Sequence, residues 1–227
     1  MTAEEFKAGV APLIDDPKIG NGDVWIHFEG RVPEVLLPCV TWLRETYGYE
    51  KKVKISLECE KPDRVGLKDV VPLVDLVFYS KIWAEAHYEG ERSLKDSDVP
   101  ARTFLDTQLE NTHPEAILVC TWGAGRCVAM RRGTNQVRPI IAEAPAWKPS
   151  RDYARVIDTV GAGDTFTAGM LYGMFFQKTW SLDQRLRFAN ELAGRKVYQE
   201  GFKGLGEAMR NDNWRALFRM QSPPTML

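Results

Sequence analysis

Short β-branched runs alternate with stretches in which apolar residues recur every third or fourth position, and this change of period sets the expected order of elements. The runs predict strands over Asp23–Glu29, Val53–Glu58, Asp75–Tyr79 and Ala116–Cys120. Between them the periodicity predicts an amphipathic helix over Pro33–Tyr47, a short helix over Ile82–Tyr88 and a longer one over Pro100–Asn111. Pro33 and Pro38 are both expected at the start of the first helix, where the N–H groups lack intrahelical partners anyway. This is the alternation of βαβ units, and the uninterrupted apolar run of Ala116–Cys120 reads as a buried parallel strand.

Gly123–Gly125 breaks that strand before an antiparallel segment, Arg126–Arg131. Two further short strands are expected over Val137–Ala142 and Arg155–Ile157, separated by a surface loop over Glu143–Tyr153. Phe166, Met170, Leu171, Met174 and Phe175 then mark one helix, and Leu182, Leu186, Ala189, Ala193 and Val197 mark a second with an apolar stripe suited to core packing. A weaker helix from Glu207 and a frayed tail at Ser222–Thr225 close the chain. The fold class is therefore α/β, with a mostly parallel central sheet flanked by helices.

Composition narrows the function classes. A net charge of −1 over 227 residues gives no electrostatic reason to expect nucleic acid or an anionic membrane as partner. The apolar runs are short and interrupted by charge, and Met1–Glu5 lacks the basic and apolar regions of a signal peptide, so the chain is expected in the cytoplasm. Cys39, Cys59, Cys120 and Cys127 are scattered without a Cys-x-x-Cys pair, and His27, His87 and His113 stand alone, which argues against zinc and against a disulfide framework.

The stretch that carries chemistry is Asp158-Thr159-Val160-Gly161-Ala162-Gly163-Asp164-Thr165-Phe166. It places a glycine-rich turn and a carboxylate where a strand is expected to hand over to a helix. The first N–H groups of a helix lack intrahelical partners and its dipole favours negative charge, so Gly161 and Gly163 would let the backbone close on a phosphoryl group. The plainer alternative is a tight turn in which Asp164 or Thr165 serves only as a cap. Neither common nucleotide fingerprint competes: the chain has no Gly-x4-Gly-Lys-Ser/Thr loop, and the turn lacks the last Gly of a dinucleotide motif.

The string Asp158–Phe166 closely resembles the C-terminal signature of the ribokinase-like (PfkB-type) carbohydrate kinases. Trp25–Arg31, Glu58–Pro62, Val77–Lys81 and Ala193–Lys196 resemble segments of the ketohexokinase (fructokinase) subgroup, in the same order and at compatible spacing. The likeness runs from about Asp23 to Gly206. It implies a Rossmann-like three-layer ribokinase fold that lacks its N-terminal portion, with residues 1–206 as the C-terminal part of a kinase domain and 207–227 as helix and flexible tail. The portion not matched normally supplies sugar contacts, a lid and much of a homodimer contact, so dimerisation belongs to the full-length family. The family's Asn-x-x-Glu motif is replaced here by Ser80-Lys81-Ile82-Trp83, as it also is in ketohexokinases.

The resemblance implies ATP with Mg2+ and a sugar, a ketohexose such as fructose, as substrates. Asp164 then serves as general base, and Gly161, Ala162 and Gly163 form an anion hole. Asp158 is expected to hydrogen-bond the turn rather than act as a second base. Glu29, Arg31 and Lys61 correspond to the sugar and phosphate end of the cleft, and Gly123, Ala124 and Gly125 to the nucleotide side with Asn190 and Gly194 on a facing helix. For those last two, close helix packing is the alternative. Mg2+ has no direct protein ligand in this reading, being held by phosphates and water. Two other readings stay open: a kinase for ribose or a nucleoside, and a fragment that binds nucleotide or a partner subunit without turnover.

Overall fold

A computed structural model describes residues 1–19, 23–49, 53–90, 93–133, 138–150 and 155–211. The chain divides into two compact units, Met1–Glu143 and Ala144–Leu227. The first contains α1 (Ala3–Ile14), β1 (Val24–Phe28), α2 (Pro33–Tyr47), β2 (Val53–Cys59), α3 (Leu67–Val70), β3 (Leu76–Tyr79), α4 (Lys81–His87), α5 (Pro100–Gln108), β4 (Ile117–Thr121) and β5 (Arg126–Arg131). After β6 (Ile140–Pro145), the second contains α6 (Ala162–Phe175), α7 (Leu182–Val197) and α8 (Leu205–Asn211). Among the described residues no helix is long and apolar enough to cross a membrane.

Six strands form one sheet in the order β1-β2-β3-β4-β5-β6. β1 to β4 are parallel, and β5 returns antiparallel to β4. The register aligns Phe28, Leu57, Val77, Leu118 and Met130 in one apolar row across five strands. Parallel neighbours need crossover connections, and α2 and α5 supply Val40, Leu43, Phe104 and Leu105 to the core that covers this row. All four cysteines are buried and free.

Four features differ from the sequence expectations. Helix α1 had no counterpart there; Thr2 and Glu5 cap it reciprocally, and Phe6 and Ile14 bury its inner face. Pro38 lies inside α2 rather than at its start, because the helix continues to bury Cys39, Val40 and Leu43 on the core side. The last strand of the sheet is Ile140–Pro145, further along than expected, so it takes in the first residues of the expected loop; Val137 lies outside the described residues. Arg155–Ile157 is not a strand. The N–H groups of Ile157 and Asp158 donate instead to the Val197 carbonyl at the end of α7, 2.8 and 3.3 Å away. The expected tail at Ser222–Thr225 lies outside the described residues.

At the amino-terminal ends of β2 and β3 a polar cluster ties sheet to helix. Arg44 of α2 and Asp75 form an ion pair whose side chains are only 5% and 13% exposed. Arg44 Nε also donates to the Leu73 carbonyl at 2.6 Å, while Asp75 accepts from the Ile55 N–H at 2.8 Å and from Lys54 Nζ at 3.0 Å. A desolvated pair is costly to break because the surviving charge is left without a partner. Asp75→Ala is therefore expected to lower the unfolding free energy by about 3–5 kcal/mol. Urea unfolding of the full chain followed by tryptophan fluorescence checks this; a loss of about 1 kcal/mol or less, the range of an exposed pair, would contradict it.

Candidate active site

In the second unit the chain enters α6 through Gly161, which adopts φ 75° and ψ 7° in the left-handed region. A side chain there would be strained and would also collide with the Phe202 ring, 2.6 Å from the position of its Cβ. The Ala162 N–H donates to the Thr159 carbonyl at 3.2 Å and closes the turn. The Gly161 carbonyl accepts from the Thr165 N–H at 2.9 Å and the Thr165 hydroxyl at 2.7 Å. That leaves the Gly163 and Asp164 N–H groups without an acceptor among the described residues. A Cβ at Gly163 would meet nothing within 4 Å, so this face of the turn is open. Asp164 is exposed on the third residue of the helix, beside those donors.

Asp158 and Lys196 brace this turn. Lys196 Nζ is 2.6 Å from Asp158 Oδ2 and 3.2 Å from its carbonyl oxygen, and the lysine side chain is 0% exposed. Asp158 Oδ1 accepts from the Val160 N–H at 2.9 Å. The Lys196 ammonium, and after it the Val160 N–H, holds the Asp158 carboxyl below the usual carboxylate range. Its contribution to stability is thus present above the unfolded value and is lost as pH falls through the lowered folded value. Lys196 escapes a search for apolar periodicity, yet it stands seven residues after Ala189 and three after Ala193, on the same helical stripe.

Of the two α7 residues read as nucleotide contacts, both touch the chain itself. Asn190 Nδ2 donates to the Pro145 carbonyl at 2.8 Å. Gly194 lets Trp147 approach so closely that a Cβ would lie 2.7 Å from the Trp147 Cβ. The Arg195 guanidinium lies 5.0 Å from the centre of the same ring.

The first unit carries the other candidates at the carboxyl ends of its parallel strands, where open α/β sheets bind ligands. Glu29 and Arg31 follow β1 and pair with each other. Lys61 follows β2 and pairs with Glu60 at 3.3 Å. Arg64, not singled out in the sequence, donates to the Glu29 and Gly30 carbonyls at 3.5 and 3.4 Å. Ser80 caps α4 by accepting the Trp83 N–H at 3.0 Å and donates to the Glu60 carbonyl at 2.7 Å, which ties the ends of β2 and β3 together. Gly123, Ala124 and Gly125 form the exposed β4–β5 turn, closed by the Gly125 N–H on the Trp122 carbonyl at 3.1 Å. Beside it opens a cavity of about 900 Å³ lined by Lys81, Glu85, Tyr88, Ser93, Lys95 and Trp122 among others. Among the described residues no three His, Cys, Asp or Glu side chains gather where they could hold a metal ion.

Comparison with known proteins bears on the fold and the family. The chain is 30% identical over 186 residues to ketohexokinase of Mus musculus, an alignment that takes in 80% of this chain and 55% of the mouse protein. It thus spans about half the length of that relative. Ribokinase from Giardia lamblia superposes with a TM-score of 0.67 at 14% identity, over 94% of this chain and 64% of its own. A putative ribokinase II from E. coli, in complex with ATP and Mg2+, superposes with a TM-score of 0.58 at 14% identity, over 86% and 58%. These superpositions bear out the ribokinase-like α/β fold. The pfkB family carbohydrate kinase model matches residues 25–204, which include the parallel strands and the whole Gly161–Asp164 turn, and the chain belongs to that family.

Proposed function

We propose that this chain carries the phosphoryl-transfer half of an ATP-dependent sugar kinase, with a ketohexose such as fructose as acceptor. The observation that carries the reading is the turn itself: two N–H groups with no acceptor among the described residues and an exposed carboxylate lie on consecutive residues at the positive end of a 14-residue helix. Asp164 accepts the proton of the attacking hydroxyl as its oxygen bonds to the γ-phosphorus and the bond to the β–γ bridging oxygen breaks. Charge on the transferring group is taken up by the Gly161–Gly163 anion hole. There the Gly163 N–H, with that of Asp164, has no acceptor among the described residues, while Gly161 supplies the conformation and Ala162 closes the turn.

Arg31 and Lys61 suit the phosphate end of the substrates, and Glu29 holds Arg31 in place through their ion pair. Gly123–Gly125, which present backbone with at most a methyl group, suit the nucleotide side. ATP supplies the phosphoryl group, and its Mg2+ is carried by phosphate and water, as suits an ion that sheds water reluctantly. The similarity to mouse ketohexokinase supports a ketohexose over ribose or a nucleoside. A second reading is nucleotide binding without turnover, for which the Gly123–Gly125 and Gly161–Asp164 turns would suffice.

Three outcomes separate these readings. ADP release coupled to an indicator reaction, with ATP, Mg2+ and fructose, ribose or adenosine, is expected to be greatest with fructose. Asp164→Asn preserves shape and removes the base, so turnover is expected to fall by about 10²–10⁴-fold with ADP affinity little changed. Unchanged turnover would remove Asp164 from the role, and ADP binding without sugar-dependent release would establish the second reading. Gly163→Val places a branched side chain on the open face of the turn, and calorimetry is expected to show weaker ADP binding in a folded variant; undiminished affinity would mean that phosphate does not approach there.

A further inference from the structure

We propose that Lys196 is a positioning residue that acts through Asp158 to fix the backbone direction of the phosphoryl turn. For its effect on ligands this rests on the kinase reading above. A fully buried ammonium needs partners for its donors. Among the described residues, those of Lys196 belong to the turn or to the ring beside it: Asp158 Oδ2 at 2.6 Å, the Asp158 carbonyl at 3.2 Å, and the Phe202 ring at 5.2 Å. Phe202 is also the ring that lies against Gly161. One lysine therefore holds both the strut beneath the turn and the cover beside it.

The strut has two ends. Ile157 and Asp158 hang by their N–H groups from the Val197 carbonyl, one residue beyond Lys196, so main chain and side chain of the last turn of α7 both grip Asp158. With Oδ2 held by the lysine, Asp158 Oδ1 is aimed at the Val160 N–H. That bond fixes the residue preceding Gly161, and with it the outward direction of the Gly163 and Asp164 N–H groups. The charge serves a second purpose: it neutralises Asp158, whose carboxylate would otherwise oppose an anion at the same turn. A hydrophobic residue could fill the space but could do neither.

Amide hydrogen exchange on the full chain tests the strut without any ligand, and ADP calorimetry tests its consequence. In Lys196→Met, with its fold verified by circular dichroism, the Val160 amide is expected to exchange about tenfold faster relative to Ala189, and the ADP dissociation constant to rise about tenfold, the scale of one charge-assisted bond. Because the lysine acts through the carboxylate, Lys196→Met/Asp158→Asn is expected to be no worse than Lys196→Met alone in either measurement. This charge-neutral pair also carries the exchange test should the single variant fail to fold. Unchanged Val160 exchange in a folded variant, or effects of the two substitutions that simply add, would overturn the proposal. If the wild-type chain does not bind ADP, the kinase reading fails, and Val160 exchange alone decides whether the strut exists.

Discussion

Parallel pairing is the constraint on which the first unit depends. Because β1 to β4 run in one direction, every carboxyl end emerges at one edge of the sheet and every amino end at the other. The two edges have been put to different uses. At the amino-terminal edge Asp75 is consumed by structure, since it takes the Ile55 N–H and the charges of Arg44 and Lys54. At the carboxyl edge Glu29, Arg31, Lys61 and Arg64 are tied down by exposed pairs or carbonyl contacts, which cost little to rearrange. Burial makes one cluster a lock and exposure makes the other adjustable.

The second unit poses a different problem, that of holding a backbone turn open, which the proposed reading would use as an anion hole. Gly161 and Gly163 share a motif but not a setting: the first has a left-handed backbone beside an aromatic ring, while a Cβ at the second would meet nothing within 4 Å. Backbone donors have no rotamers to order, so their usefulness depends on how firmly the turn is held. Here it is held by the Thr165 bonds within the helix and by the Asp158–Lys196 pair outside it.

Much of this was legible in the residues, and the failures have physical causes. Pro33–Tyr47 and Arg126–Arg131 match the expected elements to the residue, because a glycine bounds each, Gly48 at the end of the helix and Gly125 before the strand. Val156 and Ile157 looked like strand residues by β-branching. Yet they are 57% and 62% exposed, and the Ile157 N–H finds its acceptor on the last turn of a helix rather than on a neighbouring strand. Helix α1 was missed, although Thr2 and Glu5 form a capping signal there, because Pro12 interrupts its period. Lys196 stayed hidden because a charged residue on an apolar stripe declares its partner only in three dimensions. Gly194 illustrates the converse, since a small residue on a helix reads equally as ligand contact or as room for Trp147.

The central claim is that phosphate meets the backbone at Gly163 and Asp164. Amide nuclear magnetic resonance of the isotope-labelled chain, titrated with a non-hydrolysable ATP analogue and Mg2+, addresses it directly, because each donor reports for itself. The account requires the largest shifts of the second unit at the Gly163 and Asp164 N–H signals, moving together along one binding curve. An analogue that binds measurably and leaves those two signals in place would contradict it.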